Sequence, residues 1–247
     1  MTQAGFNKTN QPIIYMLFVV VLGLNIALWV SKRDVQGAWL NVPPVPSNNA
    51  SSSFALGDSQ FSYRMTGVML QNLGDTGGRV THLSDYNYET LSKWFWLMDK
   101  LDYRSGFMPF LAAYYYGAVD DPEKLSVIIE YLREVGQREG AERWRWLMHA
   151  IYMARWQIKD LDLALDLARD LAALDPATMP GWAAQMPAVI LNAKGSKEEA
   201  LDIMVQTLKS NVDNMHPNEI NATKDYICTR ILEPAQAKDY PLCLNEN

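Results

Sequence analysis

Histidine and cysteine are scarce: three histidines and two cysteines in 247 residues. His82, His149 and His216 lie far apart and make no metal-ligand set with a cysteine or with one another, so no metal site is indicated. Basic residues are the minority charge. The chain carries 22 Lys plus Arg against 28 Asp plus Glu, a formal charge of −6, and so lacks the basic face that would release counterions from phosphates, which argues against nucleic acid as a partner. No glycine-rich phosphate loop follows a strand-like run, and no serine or cysteine nucleophile has a recognisable frame. Asp75, Thr76 and Gly77 spell the triplet around aspartic-protease carboxylates. Here it follows a helical segment and has no second copy to share a proton with. These absences point to a protein that is not an enzyme and needs no cofactor.

Apolar material is plentiful, at 49% hydrophobic and 11% aromatic residues, enough for a real core. Its densest run is residues 13–30, which holds no charge and only Asn25 as a strongly polar residue. At 1.5 Å rise per residue it extends about 27 Å, close to the thickness of a bilayer's hydrocarbon region. Tyr15 and Trp29 lie near its two ends, where amphipathic rings favour the interface. Ala27, Leu28 and Trp29 make a poor signal-peptidase site and Lys32 and Arg33 follow at once, so the run reads as an uncleaved transmembrane helix after a tail of residues 1–12. Flanking charge gives no orientation, since Lys8 precedes the span as Lys32 and Arg33 follow it.

Residues 31–57 lose periodicity. Pro43, Pro44 and Pro46 precede a Ser and Asn run, so this stretch reads as a spacer, with Trp39 and Leu40 at the membrane surface. Helical patterns then alternate with breakers. Asp58 caps a helix over 58–73 whose expected inner face is Phe61, Met65, Val68, Met69 and Leu70. Gly74 closes it, and a glycine-rich loop leads to a helix over 86–101 carrying Leu91, Trp94, Phe95, Met98 and Leu101. Further helices are expected over 107–119, 122–135, 143–157, 161–174, 180–193 and 196–208, with Pro122 in a first turn and Ser196 with Glu199 at capping-box spacing. A last helix over 218–232 has no pair and reads as a cap. Cys228 and Cys243 could close a disulfide that pins the tail in an oxidising compartment, or could be two unrelated thiols.

Leu91, Leu125, Ala164 and Ala200 occupy equivalent helical positions at intervals of about 34 to 39 residues. The segment DLALDLARDLAALDP, residues 162–176, has Ala164 and Ala168 as small contacts and Pro176 after the turn. It resembles the second helix of a tetratricopeptide repeat (TPR), and weaker likenesses occur over 91–103 and 200–208. The chain departs from that family in lacking the Leu-Gly pair of the first helix, in carrying Tyr103 where proline is expected, and in its uneven repeat lengths. Residues 70–79 and 101–117 also make the whole chain similar to membrane-anchored, TPR-like proteins of alphaproteobacteria, a likeness that carries no activity. The resemblance implies an all-α fold: a transmembrane helix, a TPR-like α-solenoid of about four helix pairs over 58–210, and a capping helix and tail over 211–247. It also implies a bacterial inner-membrane location, with the repeats on the periplasmic side if the cysteines are paired.

In such a stack the first helix of each pair lines a concave face. That expectation gathers Phe107, Phe110, Tyr114, Trp146, His149, Met153, Trp156, Trp182, Gln185 and Asn192 into one groove suited to a peptide segment of a partner protein. Arg143, Arg145 and Arg155 add positive charge nearby, balanced by Glu139 and Glu142. Two other readings stand beside the scaffold: an accessory subunit of a larger membrane complex, and an enzyme using the loop from Gly74 to Arg79, where amides could cradle an anion.

Overall fold

The computed structural model describes residues 11–32, 42–76, 79–140, 142–212 and 215–244, in two units, Met1–Leu40 and Asn41–Asn247. In the first, α1 (Gln11–Lys32) contains the stretch Pro12–Ser31 with mean hydropathy 2.5, long and apolar enough to cross a bilayer. Trp39, Leu40 and the tail before residue 11 lie outside the described residues.

The second unit is helical except for a two-residue antiparallel ladder pairing Asp75 with Val80 and Thr76 with Arg79. Its helices are α2 (Asn48–Phe54), α3 (Ser59–Gln71), α4 (Tyr88–Leu101), α5 (Phe107–Phe110, continued by a π turn Leu111–Tyr115 and a 3-10 turn Tyr116–Ala118) and α6 (Pro122–Gly136). There follow α7 (Trp144–Tyr152, continued by a π turn Met153–Ile158), α8 (Leu161–Ala172), α9 (Met186–Lys194, preceded by a 3-10 turn Gly181–Gln185) and α10 (Lys197–Asn211). The chain closes with α11 (Pro217–Tyr226, continued by a π turn Ile227–Ile231) and α12 (Pro234–Asp239).

Local chemistry sets most of these boundaries. Asp58, Asp121 and Asp160 each accept two amides of the following turn on one carboxylate oxygen, and Asn87 accepts one from Thr90 at 2.8 Å, which satisfies donors that a helix start leaves open. Pro122 fills the first position of α6, where its missing donor costs nothing, and Gly195 ends α9 at φ +90°. Ser196 makes no side-chain cap on α10, so the expected Ser196–Glu199 box does not form. Boxes appear instead at His216 with Glu219 and at Glu233 with Gln236.

From α6 to α10 each helix packs on the next, and the π turn after α11 packs on α10. At Gly136 a Cβ would stand 2.7 Å from the Leu147 amide nitrogen, so α6 and α7 approach backbone to backbone there. Polar ties between non-successive elements include Arg133 with Asp170 at 2.5 Å, the Arg138 guanidinium on both oxygens of Asp99 at 2.7 Å, and a buried Gln185–Thr223 pair at 3.0 Å. A disulfide joins Cys228 to Cys243 and ties the tail back to the π turn after α11. The helix expected over 218–232 thus has partners: Ile227 and Ile231 are buried, and Thr223 meets Gln185.

Two stretches differ from the sequence expectation. Residues 42–57 are not spacer. Val42 is buried, the Trp94 indole N–H donates to Pro43 O at 2.8 Å, and α2, capped by Ser47, sets Ser51 Oγ 2.8 Å from Ser62 Oγ in a buried contact. The second difference is the rotation of α3. It buries Ser62, Tyr63, Gly67 and Leu70, and leaves Phe61, Met65, Val68 and Met69 exposed. The serine pair and the Phe107 ring, 3.1 Å from where a Gly67 Cβ would stand, fix that rotation against the apolar pattern.

By contrast α4 buries all five of its expected core residues, Leu91, Trp94, Phe95, Met98 and Leu101. They pack beside Tyr116, which is fully buried. Its hydroxyl donates to Leu70 O at 2.7 Å, its carbonyl accepts from the Tyr88 hydroxyl at 2.8 Å, and its ring has Tyr86, Phe95 and Tyr115 within 6.0 Å. Burial raises the hydroxyl's pKa far above the ordinary tyrosine value, so it stays a donor at every workable pH. Tyr116→Ala is expected to cost about 3–5 kcal/mol in denaturant unfolding followed by tryptophan fluorescence, and Tyr116→Phe about 1 kcal/mol. Equal losses for the two variants would contradict a hub built mainly on ring packing.

Candidate functional site

Three elements that are each first in their expected pair, α5, α7 and the 3-10 turn leading into α9, border one open groove of about 780 Å³. Its rings come from Tyr114 on α5, Trp144, His149 and Tyr152 on α7, and Trp182 on the turn before α9. They form two contacting sets. Tyr114 lies 4.5 Å from His149, which lies 5.9 Å from Tyr152, while Trp144 and Trp182 meet edge to face at 5.5 Å. Arg145 places its guanidinium 5.6 Å from the Trp144 ring, and Met148 adds a flexible apolar chain. Gln157 completes the wall, its side-chain amide donating to Gly117 O at 3.1 Å.

Tyr114 and Gln157 lie in the π turns that continue α5 and α7 beside the groove. Gly117 allows the approach: the Met153 methyl occupies the space where a Cβ would stand.

Of the ten residues expected to line the groove, Tyr114, His149 and Trp182 do so, with Phe110 alongside, 4.9 Å from Tyr114. The others lie elsewhere. Met153 is fully buried, Gln185 is buried against Thr223, and Asn192 donates to the Tyr226 hydroxyl and Arg230 O. Phe107 covers Gly67, Trp146 packs beside Gly106, and Trp156 is exposed under the Arg155 guanidinium at 4.7 Å. The cause is rotation. The stripe that faces the groove is 145, 148, 149 and 152, one residue (about 100°) round from the expected 146, 149, 153 and 156. The tight Gly136 contact sets that angle by requiring Leu147 inward, and the π turn starting at Met153 carries Trp156 off the line. Trp144, Arg145, Met148, Tyr152 and Gln157 were therefore missed; the inward stripe Leu147, Ala150, Ile151 and Ala154 was the signal that could have found them.

The loop offered as an anion cradle has a structural occupation at its start. Gly74 has φ +85°, and a Cβ there would overlap the Tyr86 hydroxyl, which donates to Leu73 O. Gly77 and Gly78, central to the cradle, lie outside the described residues, as does the Arg79 side chain. Among the described residues no group of three His, Cys, Asp or Glu side chains could hold a metal ion.

No protein-family model, curated protein or solved structure matches the chain.

In the groove, His149 has a shifted pKa. Burial lowers it below the ordinary 6.5, opposed by the bond its Nε2 donates to Ala113 O at 3.2 Å. The native ring is thus neutral where the unfolded ring is already charged. Below about pH 6.5 the unfolded state binds more protons, so stability falls as pH drops. Unfolding between pH 7.5 and 5.5 is expected to show this loss, and His149→Gln to flatten it; an unchanged slope in the variant would contradict a neutral, half-buried ring.

Proposed function

We propose that the chain is a single-pass membrane protein presenting a TPR-like helical scaffold, whose aromatic groove binds a peptide segment of a partner protein. The observation that carries this reading is the groove itself. Five rings from three successive first helices stand at one open surface, with Arg145 and Gln157 as polar points at its edge. Rigid aromatic anchors with a few polar groups give large contact area at low entropy cost, as peptide recognition requires. The period of about 34 to 39 residues and the packing of each helix on the next support the TPR-like description. A membrane anchor would raise the partner's local concentration. The Cys228–Cys243 bond favours an oxidising compartment, hence the periplasmic side of a bacterial inner membrane.

A photo-reactive residue at Met148, with one at exposed Asp166 as control, tests the groove. The expected result is a discrete protein adduct from position 148 only, reduced at least about tenfold by Tyr152→Ala with Trp182→Ala, side chains exposed enough to leave the fold intact. The same adduct from both positions, or one indifferent to the double substitution, would sink the proposal. Topology is read separately with a membrane-impermeant maleimide on intact cells. Labelling of Cys228 and Cys243 only after reduction is expected; labelling confined to inside-out vesicles would place the helices in the cytoplasm.

A further inference from the structure

The exposed face of α3 has no role in the groove. Phe61 is 51% exposed, Met65 60% and Val68 60%, and with Met69 they make an apolar stripe at positions i, i+4, i+7 and i+8. Two residues before the Asp58 cap, Leu56 is 98% exposed at φ +54°. It ends α2 in a Schellman arrangement, with Leu56 N–H on Ser53 O at 3.1 Å and Gly57 N–H on Ser52 O at 2.8 Å. That position normally takes glycine or asparagine. A leucine there bears backbone strain and still gains no burial, which marks a side chain held outward for contact.

Beside the stripe runs a groove of about 440 Å³ lined by Pro46, Ala55, Phe61, Met65, Met69 and Trp94. Its polar groups are largely engaged. Ser51 and Ser62 bond each other, and the Trp94 N–H is held by Pro43 O, leaving Thr66 as the remaining polar lining group. A peptide laid here would find few partners for its backbone, whereas a hydrocarbon chain needs none. Charge agrees with this. In a chain that is 20% charged, residues 42–73 carry only Asp58 and Arg64, and Asp58 is engaged by the amides of Gln60 and Phe61. No acidic side chain on α3 itself opposes an anionic surface. Chain length supplies the occupant. Nine residues lie between Lys32 and Val42, ten steps with a reach of at most about 36 Å, so the chain at Val42 is tethered close to any bilayer that holds α1.

We infer that Leu56 and the Phe61, Met65, Val68 and Met69 face of α3 form a lipid-contacting surface that rests in the headgroup boundary of the membrane holding α1. This rests on the reading of α1 as a membrane anchor.

The test uses the full chain in phosphatidylcholine–phosphatidylglycerol vesicles, with the native disulfide kept and an environment-sensitive fluorophore placed in turn on Leu56→Cys, Met65→Cys and, as control, Glu198→Cys. Nitroxide-bearing lipid is expected to quench positions 56 and 65 at least about threefold more than 198, with blue-shifted emission, while aqueous iodide favours 198. Alkaline extraction of the same vesicles separates the two ideas. Chain retained but water-exposed at 56 and 65 overturns this inference and spares the anchor; chain released overturns both. Blue-shifted emission without nitroxide quenching, accompanied by cross-links between copies, would assign the face to a second molecule and overturn the lipid proposal.

Discussion

A single tyrosine in the interior of the helical unit decides how its amino-terminal elements meet. Tyr116 reaches back from the end of α5 to the Leu70 carbonyl of α3, receives the Tyr88 hydroxyl of α4 on its own carbonyl, and fills the space between with a fully buried ring. Burying a phenol without a partner for its hydroxyl is costly, so its position is specified by direction as well as by volume. α4, which lies against it, is the element whose inner face follows the sequence pattern completely.

Beside that hub, small residues and polar contacts choose orientation. α3 turns its most apolar face to solvent because a buried serine pair and a glycine under Phe107 pack the other one, and α7 is set by the Gly136 contact. At α7 the side that admits a close backbone approach faces inward, and at α3 a side of small residues under the Phe107 ring wins over the side with more apolar area, since close packing rewards fit as well as hydrophobicity. The two consequences differ in kind. Rotating α7 exposes His149 and Tyr152 to the groove, whereas rotating α3 leaves a face that stands exposed among the described residues.

Aromatic rings therefore have three distinct environments in this protein. Tyr116, Phe95 and Tyr131 are interior, the groove rings stand half-open in contact with one another, and Phe61 belongs to the uncovered face of α3. The groove and the α3 face also differ chemically. Arg145, His149 and Gln157 give the groove hydrogen-bonding points, while the α3 groove holds its polar groups in internal bonds. That difference is what the proposals of peptide recognition and of lipid contact rest on.

Local chemistry made much of this legible in advance. Asp58 announces a helix start, Pro122 marks the first turn of another, and an uncharged run over 13–30 marks a helix long enough for a bilayer, because caps, prolines and hydrocarbon length act within a few residues of chain. Tyr114, His149 and Trp182, which the TPR resemblance implies for a groove, border the open groove of the structure. Rotation was not legible. Whether Met148 or Met153 faces outward depends on a glycine eleven or more residues away and on a π turn that breaks the 3.6-residue period, and whether residues 42–57 are spacer or fold depends on Trp94, dozens of positions onward. Periodicity tells that a helix has an inner side; which side it is emerges when helices distant in sequence compete for the same volume.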